Sequence, residues 1–198
     1  MQLFVNTTSP FARLVRLAVM EKGLSPRVRT EIVDPWADPP ALLAANPTGR
    51  VPVLVTADGH AIAETQLILR HLDALAGPDL FPAREAARTL ATAALALGTM
   101  EAAVALVVGR KSVPGFDADP IGAKRVRAMA DGLARLDAAP PRDLVDGPDI
   151  AALATVTALD YVLFRFPGRD WCAGLPRLAA WRARQSGRAS VEATLPVL

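Results

Sequence analysis

Apolar and polar positions repeat with different periods along this chain, and the changes of period mark its elements. Leu3-Phe4-Val5 is a short apolar run that breaks at Asn6-Thr7-Thr8, which predicts a strand followed by a loop. Ser9-Pro10 then opens a stretch in which Phe11, Leu14, Val15 and Ala18 recur at helical spacing as far as Gly23. Serine suits an N-cap, proline suits the first turn because its N–H is not needed there, and glycine suits the C-terminal stop. Residues 28–33 alternate as a half-buried strand. A loop rich in proline and aspartate, 34–40, leads into a short helical stretch at 41–45 and then Asn46-Pro47-Thr48-Gly49-Arg50. Val51 to Thr56 reads as a strand, Asp58-Gly59 as a hairpin turn, and His60 to Glu64 as the returning strand. Leu67, Ile68, Leu72 and Leu75 place a helix over 65–76.

The resulting order over residues 1–76, β-α-β-α-β-β-α, is that of a thioredoxin-like α/β domain. Residues 77–83, with Gly77-Pro78 and Pro82, read as a linker. From Arg84 onward strand signals stop, and helices are expected at 84–109, 120–138, 149–164, 175–185 and near 189–193. Pro114, Pro120, Pro140-Pro141, Pro148 and Pro167 fall between them, where proline ends helices. An all-helical C-terminal domain over 84–198 is therefore expected.

Composition narrows the class. Hydrophobic residues make up 52% of the 198 positions, enough for a real core. Cys172 is the single cysteine, so no internal disulfide framework is expected and a reducing, cytoplasmic setting is the natural one. Met1 to Ala12 has no basic segment followed by an apolar one. Uncharged runs reach only on the order of a dozen residues, short of a membrane span, so a soluble protein without a membrane partner is expected. The formal charge is only +2. Arg177, Arg182, Arg184 and Arg188 follow an amphipathic pattern with Leu178 and Trp181, which reads as a solvated helix face and not as a nucleic-acid footprint. His60 and His71 are the only histidines and form neither a metal cluster nor a Ser-His-Asp set, so no metal is expected.

Four stretches, in this order, resemble the glutathione S-transferase family. Thr8 to Arg13 with Glu21-Lys22-Gly23-Leu24 is similar to the family's first strand-helix junction, and Asn46 to Leu54 to its cis-proline segment. Glu64-Thr65 is similar to the acid and hydroxyl that open the third helix, although serine is commoner there than threonine. In the tail, Tyr161 to Phe166, Trp171-Cys172, Pro176 to Trp181 and Ser190 to Pro196 look closest to the bacterial YibF-like branch. The family's thiol-exchange branches carry cysteine at the catalytic junction, where this chain has Ser9, so Cys172 reads as a packed thiol.

From the residues alone, Ser9 is a helix cap whose hydroxyl lies in the positive field of a helix N-terminus. The resemblance adds the role of donor to the glutathione thiolate. Pro52 is either an ordinary strand-start proline or a cis proline that turns the Val51 backbone outward; the resemblance implies the latter, pairing Val51 with the cysteinyl backbone of glutathione. Thr65 at a helix start suits a carboxylate, and the resemblance implies that it holds the γ-glutamyl end, with Glu64 facing the ammonium. Arg50 is a weaker candidate for the glycyl carboxylate. Phe11, Met100 and Val104 are candidates for the co-substrate pocket, with plain core the other reading of the two on the 84–110 helix. Asp149 before Ile150 resembles a helix capping box whose reciprocal half is missing, because Ala152 stands where the family usually has aspartate. The implied protein is a detoxifying transferase, a cytoplasmic homodimer that takes glutathione as co-substrate and a small hydrophobic electrophile. The alternative is a noncatalytic glutathione-binding or regulatory member of the fold.

Overall fold

A computed structural model describes residues 1–197. Contacts divide the chain into two compact units, Met1–Leu80 with the segment beginning at Arg188, and Phe81–Gly187. The first unit contains β1 (Gln2–Val5), α1 (Pro10–Glu21), β2 (Arg29–Ile32), α2 (Pro40–Ala45), β3 (Val53–Val55), β4 (Ala61–Ala63) and α3 (Thr65–Asp73). The sheet order is β2-β1-β3-β4. β1 is parallel to β2 and antiparallel to β3, and β3 and β4 form a hairpin. This is the thioredoxin-like arrangement expected from the hydrophobic pattern. The parallel β1–β2 pair needs a crossover, which α1 supplies.

Period-two alternation sorts the sheet's two faces. Phe4 and Val53, partners in register, pack with Leu42 of α2. Leu3, Val5 and Leu54 point the other way and are fully buried, as are Leu14, Val15 and Leu17 of α1 and Ile68, Leu69 and Leu72 of α3. β2 departs from the half-buried strand expected at 28–33: Arg29, Thr30 and Ile32 are exposed, Ile32 at 66%. Alternation within a strand does not reveal its place in the sheet, and β2 is an edge.

The end of α1 is fixed by a buried cation. The Lys22 ammonium donates to Asp73 Oδ1 at 2.9 Å and to the Pro78 carbonyl at 2.7 Å, while the Leu80 amide donates to the same carboxylate oxygen at 2.8 Å. Gly77 passes so close that a Cβ there would lie 2.7 Å from the Lys22 Cα. Its φ of +74° is one that glycine adopts freely.

The second unit holds α4 (Ala86–Ser112), α5 (Pro120–Ala138), α6 (Ile150–Arg165) and α7 (Pro176–Gln185). α4 packs on both α5 and α6. By length and composition α4 could cross a bilayer, with an 18-residue window of mean hydropathy 1.8. Counting uncharged runs missed this because Glu101 interrupts the window. Ala93, Ala96, Met100, Ala103 and Leu106 of this helix are nevertheless buried. Gly132 of α5 admits the Thr99 side chain of α4, whose Oγ1 would lie 2.1 Å from an added Cβ. α6 is buried from Ile150 to Val162, which explains its nearly continuous apolar sequence. Asp149 Oδ1 caps it by accepting from the Ala152 amide at 2.9 Å.

Arg177 and Arg184 are exposed, as expected of a solvated face, while Arg182 is mostly covered, and each of the three holds a specific partner. Arg182 forks onto the buried Asp160 at 2.5 and 3.2 Å, and Arg184 onto Asp143 at 2.8 and 3.1 Å. Arg177 donates to the Ala138 carbonyl. An amphipathic pattern places such arginines on the polar side of a helix, but their acidic partners lie 22 and 41 positions away in sequence.

Candidate functional site

Strand register brings the candidate glutathione-binding segments to one end of the sheet. Phe4 pairs with Val53, and Val53 pairs with Ala63. The loop after β1, the segment before β3 and the turn after β4 therefore leave the sheet at the same end. These carry Ser9, Val51-Pro52 and Glu64-Thr65 respectively. Val5 pairs with Ile32, so the loop bearing the exposed Trp36 departs from this end too.

Ser9 is the N-cap of α1, and its Oγ accepts from the Ala12 amide at 3.2 Å. Accepting that bond leaves the hydroxyl proton available for donation. Pro10 has no N–H, and the Arg13 amide donates to the Ser9 carbonyl at 3.0 Å. The Phe11 amide is thus the donor of this first turn that takes no partner among the described residues, and it stands next to the Ser9 hydroxyl along the chain. Two donors and the helix dipole converge on one end of α1.

The Val51–Pro52 peptide is cis. The β3 ladder begins only at Val53, which shortens the strand expected from Val51. Val51 packs its side chain against the Phe4, Leu42 and Val53 cluster. Arg50 is exposed, and its carbonyl accepts from Asn46 Nδ2 at 3.1 Å.

Glu64 has φ +69° and ψ 116°, a backbone conformation sparsely populated by residues with a Cβ. This kink ends β4 and starts α3 at the next residue. Thr65 is buried while Glu64 is exposed. The Leu67 and Ile68 amides both donate to the Glu64 carbonyl, at 3.0 and 3.1 Å. The Thr65 and Gln66 amides precede these bonds at the opening of a nine-residue helix, a geometry suited to a carboxylate.

Two asparagines that the sequence reading passed over hold the site loops. Asn6 Oδ1 accepts from the Thr8 amide at 2.9 Å and its hydroxyl at 2.7 Å, and Asn6 Nδ2 donates to the Val33 carbonyl at 3.3 Å. Asn46 Oδ1 accepts from the Thr48 amide and hydroxyl at 3.2 and 3.0 Å. The repeated Asn-x-Thr spacing is a local turn signal that could have revealed both.

Of the co-substrate candidates, Phe11 lies half-buried in the first unit. Met100 is fully buried in α4 of the second unit, and Val104 one turn later is partly exposed. The Cys172 thiol is pushed up by burial and by the nearby Asp170 and Asp160 charges, which disfavours a reactive thiolate.

Known proteins share this arrangement. Residues 8–75 match the family described as glutathione S-transferase, N-terminal domain. A crystal structure of a glutathione transferase family member from Pseudomonas fluorescens Pf-5 with bound glutathione is 32% identical, covers 100% of this chain and 99% of its own, and has a TM-score of 0.90. A second structure of a Pseudomonas fluorescens Pf-5 family member, with bound S-(propanoic acid)-glutathione, is 31% identical with full coverage of both chains and a TM-score of 0.87. The uncharacterized GST-like protein YibF of Escherichia coli K12 is 26% identical over 99% of this chain and 98% of its own. The chain belongs to the glutathione S-transferase family. Within it, the resemblance to the YibF-like branch extends over nearly the whole length.

Proposed function

We propose that this protein is a glutathione transferase in which Ser9 stabilises the glutathione thiolate. The observation that carries the reading is the convergence of Ser9, Val51-Pro52 and Glu64-Thr65 at one end of the sheet, and glutathione in the related Pseudomonas fluorescens structure supports the ligand. The Val51 backbone pairs with the cysteinyl unit, the Thr65 hydroxyl and the α3 amides take the γ-glutamyl carboxylate, and Glu64 faces its ammonium. Arg50 serves the glycyl carboxylate.

The thiol proton leaves to water. Lowering the thiol pKa by two units from about 8.5 takes ~2.7 kcal/mol. One charge-assisted hydrogen bond of ~1.5–3 kcal/mol with a helix-end contribution of ~0.3–1 kcal/mol reaches that. The sulfur lone pair then forms a C–S bond to a small hydrophobic electrophile, for which Phe11 on the first unit and Val104 and Met100 on the second are separate candidate contacts. In a substitution the leaving group departs with its bonding pair; in an addition the new carbanion takes a proton from water. The working form is a cytoplasmic homodimer, and detoxification is the role. Calorimetry is expected to show glutathione binding at or below millimolar concentration, weakened in Thr65→Val. No binding at that concentration refutes the reading, equal affinity removes Thr65 from the site, and a monomer mass in light scattering removes the dimer.

A further inference from the structure

The tail of the chain runs back along α1. Its helix α8 (Ala189–Ala193) starts beside the end of α1, where Arg188 forks onto Glu21 at 2.7 and 2.6 Å and the Ser190 hydroxyl donates to the same carboxylate. A little over two turns back along α1, the buried Arg13 donates from Nε to Thr194 Oγ1 at 3.3 Å and from Nη2 to the Val191 carbonyl at 3.4 Å. Arg16 donates to the Ala193 carbonyl at 3.0 Å. The Thr194 hydroxyl in turn donates to the Ser190 carbonyl at 2.8 Å. Beyond α8 the chain reaches the other end of α1, and Thr7 Oγ1 donates to the Val197 carbonyl at 3.0 Å. Two antiparallel helices are thus joined at three points, by the Arg188–Glu21 ion pair at the start of α8 and by Arg13 and Arg16 at its end, where the dipole favours cations.

This path ends two residues before Ser9. The loop from Asn6 to Ser9 is held from the sheet side by Asn6 through the Val33 carbonyl and from the tail side by Thr7. Arg13 ties the same turn twice, since its amide donates to the Ser9 carbonyl while its guanidinium grips the tail. A shift of the tail therefore reaches the Ser9 hydroxyl through two separate connections.

We propose that the segment from Arg188 to Val197 is a clasp that sets the position of the Ser9 end of α1, with Thr7, Arg13 and Thr194 as positioning residues for thiolate stabilisation. None of the three is required to touch glutathione. The inference rests on the Ser9 reading, and the clasp is a means of keeping one hydroxyl aimed at a sulfur atom within the few tenths of an ångström that a strong hydrogen bond tolerates.

The test uses the full chain and ultraviolet thiolate absorbance of bound glutathione as a function of pH, with glutathione affinity measured in parallel by calorimetry. Thr7→Val and Thr194→Val each remove one hydroxyl from the clasp, and Thr7→Ser restores it. Both valine variants are expected to raise the bound thiol pKa by about half a unit, a roughly threefold loss of thiolate below the midpoint. Glutathione affinity measured below both midpoints should stay within about twofold, a change of less than ~0.5 kcal/mol, and Thr7→Ser should titrate as wild type. If wild type shows a lowered thiol pKa and folded Thr7→Val shares it, the clasp proposal falls and the Ser9 reading stands. If wild-type bound glutathione titrates as an ordinary thiol, both fall. Should Thr194→Val fail to fold, Thr7→Val and Thr7→Ser decide the matter alone.

Discussion

Glu64 carries backbone strain and is the proposed partner of the glutathione ammonium, and substitution there separates the two effects. Its φ of +69° with ψ 116° costs a residue with a Cβ on the order of 1–3 kcal/mol. Glycine removes that cost but adds unfolded-chain entropy of ~0.5–1 kcal/mol. Glu64→Gly is therefore expected to stabilise the fold by about 0.5–2 kcal/mol, raising Tm by roughly 2–4 °C per kcal/mol for a chain of this size. Glu64→Gln keeps the strained backbone and loses only the charge, so its Tm should stay close to that of wild type. If the carboxylate faces the glutathione ammonium, both variants lose a charge-assisted hydrogen bond of ~1.5–3 kcal/mol, about tenfold or more in Kd. Thermal unfolding followed by circular dichroism and calorimetric titration with glutathione measure the two effects. A lower Tm for Glu64→Gly refutes the strain assignment, and wild-type affinity in Glu64→Gln refutes the binding role.

Two further outcomes follow from the packing and the charges. Gly132→Ala drives a Cβ into Thr99 Oγ1, so it should destabilise by about 1–3 kcal/mol in urea unfolding. Thr99→Ala in the same chain should restore part of the loss, and strict additivity of the two changes contradicts the contact. Burial raises the Glu21 carboxyl, but hydrogen bonds from Arg188 and Ser190 and the Arg188 charge outweigh it, leaving it below its ordinary 4.5. A depressed folded-state pKa contributes stability that is present above 4.5 and lost as pH falls through the lower folded value. Stability should therefore decline on acidification below about pH 4.5, and Glu21→Gln should show a shallower acid limb; an unchanged limb contradicts the pairing.

Local signals carried the fold because each of its elements announces itself within a few residues. Ser9-Pro10 marks the start of α1 and Asp149 caps α6, both as read from sequence. The three candidate glutathione-binding segments were legible through a family resemblance, whereas their meeting depends on a register that no single segment contains. What escaped the sequence is long-range. Lys22 and Asp73 are 51 positions apart, and Arg188 and Glu21 are 167 apart. Such pairs leave no periodic trace, so the pairing cannot be read from the sequence around either member. β3 is shorter than its β-branched run because the cis Val51–Pro52 peptide lies outside the ladder. The strain at Glu64 was equally silent, since a glutamate before a helix gives no sign of positive φ.

The central claim is that the Ser9 end of α1 holds glutathione as its thiolate, and ultraviolet difference titration of the complex measures this without any knowledge of the electrophile. Ser9→Ala removes the hydroxyl donor and also the cap on the Ala12 amide, so a stability loss of about 0.5–2 kcal/mol is expected alongside. The account predicts a bound thiol about two units below its free value of roughly 8.5 in the wild type. In Ser9→Ala most of that depression should disappear, with glutathione still bound. Identical titrations for the two proteins would contradict it, leaving Ser9 as a helix cap. Bound glutathione that titrates normally in both would favour the noncatalytic alternative.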